Sequence, residues 1–296
     1  MKQTILFALL LTVALCYGQY TEYPLYPEGI ANNPIHYDVE ESYVDSIVAP
    51  GALSGKNRVY SYVSDPTYLL FPANEDANQH IDLVIAPGGG LRNIWLDKEG
   101  IDIALRLSRK GISCMVLKYR VNHRNEKGRY KYSLDDYKEV ADQDAKQAIL
   151  MMRSMSEKMN FDADKVGMIG FSAGGWLTER ITVKKIDGYE NDRPEWMPDF
   201  AGLIYFKNQA KYFKNKKNIK NLPPVFMAVA RNDSRLGVLN DLDYFTTIIA
   251  EVEKSELHIY NSGGHGFGTS TNKGLSVAGW IDSFYNWMLD VNPQTP

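Results

Sequence analysis

The sequence KVGMIGFSAGGW, residues 165–176, decides the fold class because a short apolar run leads within it into a serine flanked by glycines. Residues 166–169 are apolar and β-rich, as expected for a strand that is buried on both faces. The residues after Ser172 favour a helix. The stretch therefore predicts a strand, a sharp turn and a helix in direct succession, which is part of a parallel βαβ unit.

Short strands alternate with helices on both sides of this stretch, from about His80 onward. This alternation predicts an α/β fold with a mostly parallel central sheet and helices on both faces. The predicted parallel strands are residues 81–86, 113–121, 165–171, 201–206, 225–230 and 257–261. Strands near residues 58–63 and 68–71 are predicted to form the antiparallel start of the same sheet. Helices are predicted from residue 96 toward 109, from a capping box at 133–136, after 172, and over 239–254 and 275–289.

The amino terminus has the layout of a cleavable secretory signal. Lys2 precedes an apolar run over residues 5–16, and the small Gly18 stands just before Gln19. We therefore predict a signal peptide at residues 1–18, followed by one domain at residues 19–296, and a secreted or periplasmic location in a bacterium. Attachment of a lipid to Cys16 stays open as an alternative.

The net charge limits the class of binding partner, and the cysteine count limits disulfides and metal sites. The whole chain carries a formal charge of −3, and loss of Lys2 with the signal makes it −4, so no strong positive field is present to recruit nucleic acid or an anionic membrane. Of the two cysteines only Cys114 remains after cleavage, which excludes an intrachain disulfide and a thiolate metal site. A neutral molecule is the partner that this composition favours.

Ser172 is the candidate nucleophile. It occupies the centre of a Gly-x-Ser-x-Gly pattern at a predicted strand-to-helix turn, where flanking glycines let the hydroxyl project without a clash of Cβ atoms. The amino terminus of the following helix favours the negative charge that develops during attack. A plain Gly-Ser turn is the alternative reading.

A serine hydroxyl needs a base, and the base needs an acid that orients it. His265 is the candidate base because it lies in a glycine-rich loop directly after the last predicted strand. Asp233 is the candidate acid because it follows the strand at 225–230, at the sheet edge where active sites of such folds lie. The alternative is that Asp233 only caps a turn and that Asp241 or Asp243 is the acid.

Backbone N–H groups near the serine are the candidate oxyanion hole. Gly89 and Gly90 follow the predicted strand at 81–86, where glycines leave their N–H groups unshielded, and Ala173 follows the nucleophile. A phosphate-binding loop is disfavoured because no Gly-Lys-Ser/Thr follows these glycines. Trp95, just after the same loop, is a candidate wall of the substrate pocket.

Six motifs spread over nearly all of the mature chain carry a family resemblance: Val63-Ser64-Asp65-Pro66-Thr67, Pro87-Gly88-Gly89-Gly90, Lys118-Tyr119-Arg120-Val121, Gln143-Asp144-Ala145, Gly170-Phe171-Ser172-Ala173-Gly174-Gly175 and Gly264-His265-Gly266-Phe267. On them the chain resembles α/β-hydrolases grouped as acetylxylan and feruloyl esterases of gut and rumen bacteria, near the hormone-sensitive-lipase-like esterases. It departs from that family at Trp176, where histidine is frequent, and at Ser234, where a second acidic residue is frequent.

The resemblance implies an α/β-hydrolase catalytic domain that releases acetyl or feruloyl groups from xylan through an acyl-enzyme on Ser172, and it leaves open which of the two is preferred. It implies no metal and no organic cofactor. A serine peptidase or a general carboxylesterase of the same fold is an alternative, and release of an amine from an aminoacyl substrate would favour the peptidase. An inactive carbohydrate-binding relative is a third reading, and it would bind xylan without turnover of any ester.

Overall fold

A computed structural model describes residues 20–125, 127–182, 194–207, 219, 221–236, 242–269 and 274–293. The predicted signal peptide at 1–18 lies outside the described residues. The strands are β1 (Glu22–Pro24), β2 (Ser42–Asp45), β3 (Arg58–Ser61), β4 (Thr67–Phe71), β5 (Ile81–Ala86), β6 (Asn93–Trp95), β7 (Ile112–Lys118), β8 (Val166–Phe171), β9 (Ala201–Ile204), β10 (Val225–Ala230) and β11 (Glu256–Tyr260).

The central sheet of the described chain has the order β1-β4-β7-β5-β8-β9-β10-β11. β5 pairs in parallel with both β7 and β8, and the parallel ladder continues through β9 and β10 to β11. β4 joins β7 antiparallel, and β1 joins β4 antiparallel. The predicted α/β fold with a mostly parallel sheet is therefore confirmed, and strands β5 and β7 to β11 match the predicted segments with differences only at their ends.

The expectation that both early strands begin this sheet is wrong for the first of them. β3 pairs instead with β2 and β6 in a separate three-stranded antiparallel sheet. The backbone turns between β3 and β4, where Tyr62 adopts a left-handed conformation with φ 61° and Pro66 precedes β4. β3 and β4 therefore leave this corner in different sheets. β1, β2 and β6 were not anticipated, because strands of three or four residues carry too little pattern.

The helices are α1 (Asp102–Ser108), preceded by a π-helical turn (Asp97–Ile101), α2 (Leu134–Ser154), α3 (Ser156–Met159), α4 (Ala173–Thr182), α5 (Leu242–Glu251) and α6 (Trp280–Val291). They cover both faces of the sheet. Along β10, Phe226 and Ala228 face the cluster that contains Phe284 of α6, whereas Met227 faces the cluster that contains Phe245 of α5. The period of two in a strand sends alternate side chains to opposite faces, so each face has its own core.

Helix α2 is fixed at its start and along its length. The Ser133 hydroxyl accepts a hydrogen bond from the Asp136 N–H at 3.1 Å, as the predicted capping box requires. Asp144 on α2 forms a fully buried ion pair with Arg120 at 2.6 Å, and Asp142 pairs with Arg180 of α4 at 2.7 Å. Asp144 therefore holds α2 against the segment that follows β7. None of the helices in the described ranges combines the length and apolar character that a bilayer span requires.

The carboxyl ends of the parallel strands meet at one edge of the sheet. β5 ends at Ala86, opposite Gly170 of β8, and β8 ends at Phe171, opposite Ile204 of β9. Loops that leave this edge therefore start within a few ångströms of one another. In open α/β sheets, ligands bind outside these ends.

Asp82 lies near the opposite end of β5 and is fully buried. Within the described part of the chain neither of its carboxylate oxygens has a partner with full hydrogen-bond geometry, although the Ser113 hydroxyl is close enough to oppose the effect of burial on the pKa of Asp82. Burial raises the pKa of Asp82 to about 9. Because the folded-state pKa lies above the unfolded value, the contribution of Asp82 to stability is complete below about pH 4 and is lost as the pH rises toward 9.

Substitution Asp82→Asn removes this titration and keeps the size of the side chain. We expect the variant to gain about 1–3 kcal/mol over the native chain at pH 8, with a smaller difference at pH 5. Urea unfolding at pH 8 and at pH 5 measures the free energy of unfolding of the variant and the native chain. Asp290→Asn, on an exposed position of α6, is the control and should leave the free energy of unfolding unchanged at both pH values. A difference for Asp82→Asn that does not vary with pH would contradict the account.

Candidate active site

Ser172 forms the turn between β8 and α4 in a strained backbone conformation. Its φ is 51°, in the left-handed region that residues other than glycine rarely adopt. The Ser172 N–H donates to the carbonyl of Ile204 at 2.9 Å, which ties the turn to the end of β9. The turn thereby holds the hydroxyl above the carboxyl edge of the sheet, as a nucleophile elbow does.

Steric crowding requires glycine at position 174. A Cβ on Gly174 would overlap the carbonyl oxygen of Ala86 and lie 2.7 Å from that of Pro87. A Cβ on Gly170 would overlap the carbonyl of Gly174 itself. Only glycine lets α4 begin this close to β5, and this closeness places Ser172 beside the loop that follows β5.

His265 lies within hydrogen-bond distance of the serine. Its Nε2 is 2.9 Å from Ser172 Oγ. The loop that carries it follows β11 and is held at its start by Asn232, whose side-chain oxygen accepts from the N–H groups of Gly263 at 3.0 Å and Gly264 at 2.8 Å. The glycine-rich segment thus has a fixed direction just before the imidazole.

Asp233 completes the row of three side chains. Its Oδ2 is 2.8 Å from His265 Nδ1, and its Oδ1 accepts from the N–H groups of Arg235 at 2.9 Å and Leu236 at 3.2 Å. Burial alone would raise the pKa of Asp233, but these hydrogen bonds outweigh burial and hold it below the ordinary value. Asp243, one of the alternative acids, lies in the first turn of α5, and Asp241 lies outside the described residues.

The protonation of the imidazole follows from these contacts. An ionised Asp233 can only accept, so Nδ1 of His265 carries the proton. The lone pair of Nε2 is then free to accept the proton of the Ser172 hydroxyl. The arrangement can therefore increase the nucleophilicity of the serine oxygen and disperse the positive charge that forms on the imidazole.

The loop after β5 holds the two glycines proposed from the sequence. Gly89 has φ 146° and Gly90 has φ 65°, conformations that disfavour any side chain. The Gly88 carbonyl accepts from the Trp95 N–H at 3.0 Å, and the Gly89 carbonyl accepts from the N–H of Asn93 at 3.1 Å. These bonds fix the peptide planes of the loop. On the other side Ala173 is the first residue of α4, a position whose N–H has no partner within a helix.

The two tryptophans singled out from the sequence occupy different environments. Trp95 is half-buried at the end of β6, next to the glycine loop, with the Lys98 ammonium 5.9 Å from its ring centre. Trp176 is only 7% exposed, on the first turn of α4, and the guanidinium of Arg180 lies 4.9 Å from its ring centre. Trp95 therefore remains next to the site, whereas Trp176 packs in the interior beneath the elbow.

Three further residues belong to the site although no catalytic role was predicted for them: Asn232, Glu99 and Tyr205. Asn232 positions the histidine loop as described above. The Glu99 carboxylate accepts from the Gly88 N–H at 2.7 Å and from the Tyr205 hydroxyl at 2.9 Å, and the Tyr205 ring contacts His265 at 5.3 Å between ring centres. One signal was available for Glu99: it follows Leu96 by three residues and precedes Ile103 by four, so a charge stands on an apolar helix face.

Comparisons with known proteins bear on the fold. No protein-family model matches the chain. An acetylxylan esterase of Xylanibacter ruminicola is 26% identical over 213 residues, which are 64% of this chain and 41% of that protein. The chain spans about two fifths of the length of the curated relatives that it matches first.

The solved structures that share the architecture include two hydrolases. An acetyl ester-xyloside bifunctional hydrolase from Caldicellulosiruptor lactoaceticus superposes with a TM-score of 0.63 at 23% identity, over 93% of this chain and 97% of that one. A thermophilic esterase of Thermogutta terrifontis, in its butyrate-bound form, gives a TM-score of 0.59 at 16% identity over 78% and 92% of the two chains. The chain is therefore a protein of the α/β-hydrolase fold, similar in sequence to an acetylxylan esterase and in fold to esterases of known structure.

Proposed function

We propose that the chain is a serine esterase that removes acetyl groups from xylan. The observation that carries the proposal is the continuous path from Ser172 Oγ through both imidazole nitrogens of His265 to Asp233, with separations of 2.9 and 2.8 Å. Such a path is the arrangement that acyl transfer by serine requires. The similarity to an acetylxylan esterase supports acetylated xylan as the substrate.

In the first half of the reaction, Ser172 Oγ attacks the ester carbonyl while His265 Nε2 takes the hydroxyl proton. The carbonyl oxygen becomes an oxyanion, and the N–H groups of Gly89, Gly90 and Ala173 donate to it. His265 then gives its proton to the departing sugar hydroxyl. The C–O bond of the ester breaks, and the acetyl group stays on Ser172 as an acyl-enzyme.

In the second half, water replaces the sugar. His265 Nε2 takes a proton from the water, whose oxygen attacks the acyl carbon, and the same N–H groups hold the second oxyanion. Collapse breaks the bond between the acyl carbon and Ser172 Oγ, returns the proton from His265 to that oxygen, and releases acetic acid, which ionises to acetate in solution. Asp233 stays ionised throughout, because its hydrogen bonds keep its pKa low, and so it stabilises the imidazolium in both halves.

Export is also part of the proposal. A polysaccharide does not cross membranes, so an enzyme that acts on it must reach it, and the pattern of Lys2, the apolar run and Gly18 supports a cleaved signal. Amino-terminal sequencing of protein secreted by a bacterial host tests this, and the expected first residue is Gln19. An uncleaved Met1 on exported protein would contradict it.

Variants of the three side chains test the mechanism. Ser172→Ala removes the attacking oxygen and should abolish turnover of p-nitrophenyl acetate above background. Asp233→Asn should lower kcat by about 10³- to 10⁴-fold, because an amide can donate to Nδ1 and stabilise the wrong tautomer. Asp243→Asn is the matched control and should retain activity. Retained activity in Ser172→Ala, or a loss in Asp243→Asn equal to that in Asp233→Asn, would contradict the assignment.

Acid release from a natural substrate tests the substrate class. Acetylated, feruloylated glucuronoarabinoxylan oligosaccharides should yield acetate with the native chain and none above the Ser172→Ala blank. Ferulate is quantified in the same reaction, because the family resemblance extends the proposal to feruloyl esters. Release of p-nitrophenol from the small ester without any acetate from xylan would reduce the function to that of a general carboxylesterase.

A further inference from the structure

A buried carboxylate lies behind the proposed oxyanion loop. Glu99 belongs to the π-helical turn Asp97–Ile101, in which the Ile101 N–H donates to the Leu96 carbonyl, five residues back, at 2.9 Å. π-Helical turns are rare and occur frequently at functional sites. Glu99 is only 5% exposed, which is unusual for a glutamate unless it has partners.

The partners of Glu99 belong to two different loops. One oxygen, Oε2, accepts from the Gly88 N–H at 2.7 Å, in the loop that follows β5. The other, Oε1, accepts from the Tyr205 hydroxyl at 2.9 Å, and the same hydroxyl accepts from the Gly268 N–H at 3.1 Å. Three hydrogen bonds therefore connect the loop after β5, which holds Gly89 and Gly90, to the loop after β11, which holds His265, through the carboxylate of Glu99.

The surroundings leave little freedom to this carboxylate. A Cβ on Gly88 would lie 2.7 Å from Glu99 Oε2 and 2.6 Å from the Phe171 carbonyl, so the loop, the glutamate and the elbow are in close contact. The Tyr119 hydroxyl donates to the Pro87 carbonyl at 2.8 Å and holds the other side of the same peptide. Burial raises the pKa of Glu99, while the Lys98 charge and the hydrogen bonds from Tyr205 and Gly88 oppose that rise.

We propose that Glu99 is a positioning residue that sets the oxyanion donors and the histidine loop in one fixed relation. It acts through Gly88 on the peptides of Gly89 and Gly90, and through Tyr205 and Gly268 on the segment that follows His265. This inference rests on the proposed esterase function. The donors meet the tetrahedral intermediate only while both carboxylate oxygens of Glu99 accept hydrogen bonds.

A direct role in proton transfer does not fit the contacts. His265 Nδ1 already has Asp233 as its carboxylate partner at 2.8 Å, and both oxygens of Glu99 are engaged by groups of the protein. Glu99 is also only 5% exposed, which leaves its carboxylate little access to a substrate. Glu99 therefore acts through other groups rather than on the substrate.

The test compares Glu99→Gln and Tyr205→Phe with the native chain. In Glu99→Gln an NH₂ group replaces one carboxylate oxygen. That group cannot accept a hydrogen bond, so the hydrogen bond from either the Gly88 N–H or the Tyr205 hydroxyl is lost. Tyr205→Phe removes the central hydroxyl alone. We expect each to lower kcat on p-nitrophenyl acetate by about 10- to 100-fold, as small misplacements of reacting groups do, with KM within about twofold. The double variant should lose little more than the worse single variant, because both break one connection.

A second measurement separates positioning from a loss of folding. A methyl trifluoromethyl ketone forms a tetrahedral adduct with the serine, so its inhibition constant should rise by the same factor as kcat/KM falls. Tyr137→Phe is the matched control: it removes a buried hydroxyl that donates to the Arg120 carbonyl at 3.0 Å, and it should leave kcat unchanged even where it lowers Tm.

The outcomes are distinct for the two levels of the proposal. A native chain without esterase activity would refute the proposed function. The positioning role would be refuted if the native chain is active and the folded Glu99→Gln variant has a kcat and a ketone inhibition constant within twofold of the native values. A fall in activity that matches the fraction unfolded, with the folded fraction fully active, would also refute it.

Discussion

The contacts around the active site hold Ser172 in a left-handed backbone conformation, and the rest of the site depends on this conformation. A non-glycine residue in that region costs roughly 1–2 kcal/mol, and neighbouring contacts must hold it there. The Ser172 N–H bonded to Ile204 supplies one contact, and the close approach of α4 to β5 at Gly174 supplies another. Because β5, β8 and β9 are neighbours in a parallel sheet, this one turn lies beside the loops that leave each of them. The sheet therefore determines which other residues can reach the serine.

The electrostatics of the site depend on two carboxylates in different environments. Asp233 keeps a low pKa because the imidazole and two backbone N–H groups donate to it despite its burial. Glu99 is buried as well and its pKa is raised, and both of its oxygens accept hydrogen bonds. Asp233 faces the imidazole that must become charged, whereas Glu99 faces backbone and a phenol. The first suits a role in charge stabilisation, and the second suits a role in holding two loops in place.

Sequence motifs predicted those parts of the molecule that a short stretch of sequence identifies by itself. Ser172, His265 and Asp233 each stand in a short pattern beside a recognisable strand, and the structure brings their side chains together. The three-stranded sheet was missed because its strands are short and its pairings join distant segments, as between Ser42 and Ser61 or between Ser61 and Asn93. The connection from Glu99 to Tyr205 was missed for the same reason, since the two lie 106 positions apart. Contacts over such separations depend on topology, which no local pattern encodes.

Under the proposed mechanism, the Ser172 oxygen attacks because His265 activates it. Treatment of the native chain with a fluorophosphonate, followed by peptide mass spectrometry, tests this directly, because the reagent phosphonylates the nucleophile of a serine hydrolase. The account predicts one adduct, on the peptide that contains Ser172, and labelling at least about 100-fold slower in His265→Ala, since general base catalysis contributes a factor of that size. An adduct on another residue, no adduct at all, or an equal rate in His265→Ala would contradict it.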